Sequence, residues 1–270
     1  MELRVGCAMW AHKAWRTDLA AYATHVNAVE GNTTFYATPR PSAVEAWAAA
    51  TPPSFRLVPK VPQAITHERR LAGADDALRG FLDALAPLGE RADLVTVQLP
   101  AGFGPNDLGT LRSFLDLAPG RFTVEVRHPA FFSDERAAAA LERVLDACGA
   151  EWTTFDTTAF FAAPPSSDGE RETWTAKPRL PRRVVAVGRR PVVRYLGRDD
   201  IDETVAGWQP WLPVVAGWLA EGRAPTFFVH TPDNIEALGL ARRFHDEVRA
   251  LVPGLSPLPD PVSTEPATLF

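Results

Sequence analysis

Glu30 and Asn32 stand two apart in the run VEGNTTFY, and Glu125 and Arg127 stand two apart in VEVRHP. In an extended strand that spacing puts both members of a pair on one face. A carboxylate beside an amide, or beside a guanidinium, does not enter a dry core without partners. Lys60, Gln98, Asp156, Arg194 and His230 also fall near the ends of β-rich runs, and His128 follows Arg127 directly. Glu30, Lys60, Glu125, His128 and Asp156 are candidates for acid–base work, and the three carboxylates could bind a divalent cation. Arg127 and Arg194, with Lys60, can hold a phosphate or carboxylate. Trp10 and Tyr36 can stack on a sugar or base, His67 can carry protons, and Asn32, Gln98 and His230 complete the candidate substrate contacts.

Bland readings compete. Glu30–Lys60 and Glu125–Arg127 can be structural ion pairs, Phe35 is better read as packing, and RHP can simply turn the chain out of its strand. The set outweighs its members, because polar groups recur at the same end of nearly every strand, an arrangement that costs stability and is typical of a site. The metal is not defined. Zinc ligand spacing is missing, and three carboxylates with few neutral ligands suit Mg²⁺ or Mn²⁺ better than Zn²⁺.

The elements that must position these residues alternate in kind. Eight β-rich runs, at 3–10, 28–34, 55–62, 93–100, 122–129, 151–156, 191–197 and 226–232, are separated by mostly helical patterns. The helical stretches include 42–50, 77–89, 108–118, 133–149, 202–222 and 234–251. Alternation of this kind predicts a parallel sheet, and the length predicts an α/β, single-domain (β/α)8 TIM barrel, a fold of typically about 250 residues. A doubly wound sheet fits less well, because no early strand is followed by a Gly-rich phosphate turn. Residues 3–252 form the expected domain and 253–270 an extended or loose Pro-rich tail. The connection between the sixth and seventh β-rich runs, 162–191, reads as an irregular loop without a clear helix. Pro210 and Pro213 should kink or divide the 202–222 helix, whose Trp208, Trp211 and Trp218 are either packing or a dimer surface.

The chain has 270 residues, is 46% hydrophobic and carries a formal charge of −5. That charge argues against a surface broadly built for nucleic acid, though not against a local basic groove. The N-terminus lacks a signal-peptide pattern, no apolar run reaches the roughly 20 residues of a membrane helix, and Cys7 and Cys148 have no metal or redox spacing. A cytoplasmic protein with free thiols and no membrane partner is expected. The sequence does not define an oligomeric state.

The stretches GCAMW (6–10), VEGNTTFYATP (29–39), TPPSF (51–55), ITH (65–67), VQLPAGF (97–103) and VEVRHPAFF (124–132) resemble the YecE-like family, a domain of unknown function. The resemblance implies a TIM barrel related in shape to the xylose-isomerase and endonuclease-IV barrels. It carries the family pattern onto Trp10, Glu30, Asn32, Thr34, Phe35, Tyr36, Lys60, Thr66, His67, Gln98, Pro100, Glu125, Arg127, His128, Asp156 and Arg194. The chain departs from it at Leu196-Gly197, where the family usually has His-Gly, and at His230-Thr231-Pro232-Asp233, where it usually has Asn-Asn-Asp. Three functions stay open. The first is a hydrolase- or isomerase-type enzyme binding a small anionic sugar- or phosphate-bearing ligand at the strand ends. The second, less favoured, is a nucleic-acid-processing protein using the Arg pairs 69–70, 182–183, 189–190 and 242–243, with the 182–190 loop beside the mouth. The third is a non-catalytic ligand binder.

Overall fold

A computed structural model describes residues 1–15 and 17–260. Eight strands form: β1 (Arg4–Cys7), β2 (Ala28–Gly31), β3 (Arg56–Pro59), β4 (Val95–Gln98), β5 (Phe122–Glu125), β6 (Glu151–Asp156), β7 (Val192–Leu196) and β8 (Thr226–His230). All ladders are parallel. The expected closed (β/α)8 barrel is corrected. The strands form a six-stranded sheet, in the order β1-β8-β7-β6-β5-β4, and a separate two-stranded sheet, β2-β3. The result is a curled parallel α/β wall with two seams.

Side chains explain the first seam. Between β1 and β2 the Tyr22 hydroxyl accepts from the Cys7 amide (2.8 Å) and donates to the Ala28 carbonyl (3.1 Å). Asn27 accepts from the Val5 amide (2.7 Å) and donates to the Leu3 carbonyl (2.8 Å). Backbone groups of β1 that would form a ladder to β2 are therefore spent on side chains. The strands can pass this closely because residue 6 is glycine; a Cβ there would lie 1.8 Å from the Ala28 carbonyl oxygen. At the β3–β4 seam, Pro59 has no amide to donate, and pairing is reduced to a Lys60–Thr96 bridge with the Val61 amide donating to the Thr96 carbonyl (2.9 Å).

Helices follow the apolar periodicity closely. Pro41–Ala50 begins on proline, as helices often do, and Glu135–Ala147 is capped by Asp134, whose carboxylate accepts from the Arg136 and Ala137 amides. Pro210 divides the Trp-rich stretch into Ile201–Trp208 and Trp211–Ala220, while Pro213 is accommodated in the first turn of the second helix. Trp208, Trp211 and Trp218 are buried within this chain, so they pack inward. The stretch 162–191 is corrected too: it contains the helix Asp168–Ala176. Its Ser-x-x-Glu start is a capping signature, and the Ser167 hydroxyl accepts from the Glu170 amide (3.0 Å). Residues 253–260 are docked rather than loose, with Leu255 and Leu258 buried in the core and the Pro259 carbonyl accepting from Arg242 (2.8 Å). The rest of the expected tail lies outside the described residues.

Candidate functional site

A cavity of about 650 Å³ opens at the C-terminal ends of the strands. Its floor is a charged cluster centred on Arg194, which β7 points inward. Arg194 Nη1 donates to Glu125 Oε2 (2.5 Å) and Nη2 to Glu30 Oε2 (3.1 Å), while its Nε lies against Glu30 Oε1. Arg127 Nε donates to Glu125 Oε1 (2.9 Å). Lys60 Nζ donates to Gln98 Oε1 (3.0 Å) and stands 3.4 Å from Glu30 Oε1. Asn32 Nδ2 donates to Glu30 Oε2 (3.0 Å), and His230 Nε2 lies 3.7 Å from the same oxygen.

Local folding differs from expectation at Asn32. The strand ends at Gly31, and Thr33–Tyr36 is a single helical turn rather than strand. Asn32 still meets Glu30, because its side chain turns back across the strand end and also donates to the Ala8 carbonyl (2.9 Å). The turn has a second use. The Thr34 hydroxyl accepts from the Lys60 amide (2.8 Å) and donates to the Lys60 carbonyl (2.7 Å), fixing the backbone from which Lys60 projects.

Electrostatics assign states. Burial opposes ionisation of Glu30, but the Arg194 and Lys60 charges outweigh it and lower its pKa to about 2. Glu125 is held below the usual carboxylate range in the same way, against its burial, by Arg194 and Arg127. Both are carboxylates at neutral pH. Burial, then the neighbouring Arg194, lowers Lys60 to about 8, against the pull of Glu30 and Glu125. Burial and Arg194 likewise lower His230 to about 3, so it is neutral.

Of the expected site residues, Glu30, Asn32, Lys60, Gln98, Glu125, Arg127, Arg194 and His230 come together, and Trp10 and Tyr36 line the cavity wall, joined there by Phe35, a residue expected only to pack. Asp156 does not join them. Buried, it points to the helix side, accepting from Trp211 Nε1 (2.7 Å), Arg182 Nε (2.9 Å) and the Thr158 amide (2.9 Å). Its cross-strand partner is Tyr195, whereas Phe155 pairs with Arg194, so alternation along β6 excludes Asp156 from the floor. His128 is a turn residue, its Nδ1 accepting from the Ala130 amide (3.2 Å). His67 sits on a short π-helical turn, bonded to the Thr66 hydroxyl (2.8 Å) and packed edge-on against Phe35.

Sequence reasoning missed Thr173 and Lys177, which reach the cavity from the Asp168–Ala176 helix and its C-cap. Lost hydration and the Arg194 and Arg127 charges lower the Lys177 pKa. The helix is anchored by buried Glu170, whose carboxylate accepts from Arg198 Nη2 (2.6 Å) and the Ser166 amide (2.7 Å). The capping signature could have revealed the helix; nothing local could have revealed its Arg198 partner.

Two expectations find little structural ground. The carboxylates considered for Mg²⁺ or Mn²⁺ do not converge: Asp156 is elsewhere, and Glu30 and Glu125 are already engaged by Arg194, Arg127 and Lys60. No cluster of three or more His, Cys, Asp or Glu side chains suited to a metal occurs among the described residues. The Arg pairs are largely spent internally. Arg183 pairs with Glu135 and Glu142, Arg70 with Asp107, and Arg243 with Glu247. Arg189 and Arg190 do not flank the mouth; Arg190 Nη1 donates to the Asp93 carbonyl (3.2 Å), at the N-terminal ends of the strands.

Fold and cavity define a curled parallel α/β protein with its polar residues gathered at the C-terminal strand ends. The chain belongs to the DUF72 family: the family described as "Protein of unknown function DUF72" matches residues 4–263. It is 36% identical over 261 residues to the UPF0759 protein YecE of Escherichia coli, in both strain K12 and O157:H7, covering 94% of this chain and 96% of that protein. Two crystal structures of DUF72 family proteins share the fold. The one from Enterococcus faecalis V583 has a TM-score of 0.67 at 18% identity and covers 97% of this chain and 100% of its own. The one from Thermotoga maritima MSB8 has a TM-score of 0.60 at 17% identity and covers 94% and 100%. No helix among the described residues is long and apolar enough to cross a membrane.

Proposed function

We propose that the protein is an enzyme of hydrolase or isomerase type that binds a small anionic sugar- or phosphate-bearing ligand in this cavity. One observation carries the reading. Three cations, Lys60, Arg127 and Arg194, face two carboxylates, Glu30 and Glu125, which leaves a positive excess, and Lys177 adds to it at the mouth. Arg194 is consumed by the carboxylates, whereas Arg127, paired with Glu125 alone, keeps 21% side-chain exposure and lines the cavity where a ligand would enter. An anion entering here restores neutrality in a partly desolvated site, where such pairing is strong. Trp10, Phe35 and Tyr36 offer faces for a sugar ring. Acid–base work falls to Lys60, since Glu30 and Glu125 are locked as anions and His230 is neutral. The test is thermal unfolding with a panel of sugar phosphates, sugar acids and the matching neutral sugars. Anionic members should raise the melting temperature of the wild type and not of Arg127→Ala. Equal effects from neutral sugars, or an unaltered response in Arg127→Ala, would contradict the reading.

A further inference from the structure

The chain has 28 Lys and Arg residues, and only three are lysines: Lys13, Lys60 and Lys177. Two of the three line the cavity at the strand ends. A chain that uses arginine almost everywhere else keeps amines here. A guanidinium would serve as well or better for holding an anion, because it is always charged and binds carboxylate and phosphate through two parallel bonds. What arginine cannot do is lose its charge and attack carbon.

Lys60 is placed for that task. It is 3% exposed. Two of its three possible donor directions are taken by Gln98 Oε1 (3.0 Å) and Glu30 Oε1 (3.4 Å), and the side chain lines the cavity. The Thr34 hydroxyl clamps its backbone on both sides. Arg194 lies in the same cluster, and a neighbouring cation with burial favours the neutral amine. His230, 7% exposed, lines the same cavity, and its Nε2 has no hydrogen-bond partner among the described residues. An unpartnered buried imidazole nitrogen beside an amine suits a polar atom supplied by a ligand.

We infer that Lys60 forms an imine with the carbonyl carbon of a small oxo compound carrying a carboxylate or phosphate, the anion being held by Arg127 and Lys177. This rests on the anionic-ligand reading of the site. The neutral Lys60 nitrogen bonds to the carbonyl carbon, and the carbonyl π pair moves to oxygen. That oxygen takes a proton as nitrogen loses one, giving a carbinolamine with its hydroxyl in reach of the His230 side of the cavity. Protonation of the hydroxyl releases water, and the nitrogen lone pair closes the C=N bond. No oxidant or reductant is needed. The cationic imine then draws electrons from the adjacent carbon, which suits bond cleavage or proton shift there.

The experiment is reductive trapping of the wild-type protein with sodium cyanoborohydride and either pyruvate or dihydroxyacetone phosphate, followed by intact mass and peptide mapping. Each adduct adds the mass of the ligand less one oxygen. The expected result is a single saturable adduct on Lys60, with Lys13 unmodified and the adduct absent from Lys60→Arg. The wild-type map needs no variant, so misfolding of Lys60→Arg cannot mimic the result. Thermal shift with lactate and glycerol 3-phosphate, which lack the carbonyl, separates the two claims. Stabilisation by these without any Lys60 adduct overturns the imine and leaves the anion site standing. Neither stabilisation nor adduct overturns both. Equal labelling of Lys13, Lys60 and Lys177 overturns the imine as well.

Discussion

Arg194 lies between two carboxylates from strands that are distant in sequence, and its charge acts on Glu30, Glu125, Lys60 and His230 alike. Removing Glu125 would leave Arg194 and Arg127 facing one another with only Glu30 to offset them. Breaking a buried pair from one side typically costs about 3–5 kcal/mol. Glu125→Gln should therefore lower unfolding free energy by about 3 kcal/mol in urea titration, and a loss below about 0.5 kcal/mol would count against the cluster as described. Asp156→Asn should also destabilise, since the one oxygen shared by Trp211 Nε1 and Arg182 Nε is disturbed, but it should leave anion affinity unchanged by titration calorimetry. His230 gives a pH signature. Its folded pKa, lowered to about 3 from an ordinary 6.5, means that the unfolded chain binds more protons between those values. Its contribution to stability is fully present above pH 6.5 and is lost as pH falls toward 3. Glu30 acts lower, between about 4.5 and 2. Between pH 6.5 and 4.5 the wild type should accordingly lose more stability than His230→Gln, and parallel curves would contradict the buried neutral histidine.

Among the elements, the helix Asp168–Ala176 matters most, because it alone brings Lys177 to the cavity. Its dock is the Glu170–Arg198 pair, which is almost fully buried. Glu170→Gln should speed amide exchange over 166–177 and weaken anion binding, with the β-strands unaffected; unchanged exchange would show that other contacts hold the helix. All eight strands were legible from their short apolar runs between turn signals. The polar strand ends single out Glu30, Lys60, Gln98, Glu125, Arg127 and Arg194, and the fold brings these side chains into contact. Asp156 was misjudged because strand-end position was weighed without side-chain alternation, which sends Phe155 inward and Asp156 out. Closure of the barrel was not legible at all. It fails at one seam where Tyr22 and Asn27, residues on or beside a helix, take over backbone groups of β1, and no local pattern announces that a side chain will replace a ladder; at the other, between β3 and β4, pairing is cut to one bridge beside Pro59.

Over the whole molecule, the two ends of the strands divide their labour. At the N-terminal ends Asp93 meets Arg4 Nη1 at 2.9 Å and Arg190 Nη1 at 3.5 Å, and Glu151 accepts from the Gly188 and Arg190 amides (2.9 and 2.7 Å). These groups pair with one another, the pattern of a stabilising end. At the C-terminal ends positive charge is left over around open volume. On the proposed reading, a chain with an overall charge of −5 would draw anions at this one place, and binding there should weaken as salt rises. The most direct test is titration calorimetry of the anion that best stabilises the wild type, repeated on the Arg127→Ala/Lys177→Ala double variant and on Asp93→Asn. Binding should fall at least about tenfold in the double variant, about 1.4 kcal/mol, and stay level in Asp93→Asn. Equal affinity in all three proteins would contradict an anion site at the strand ends.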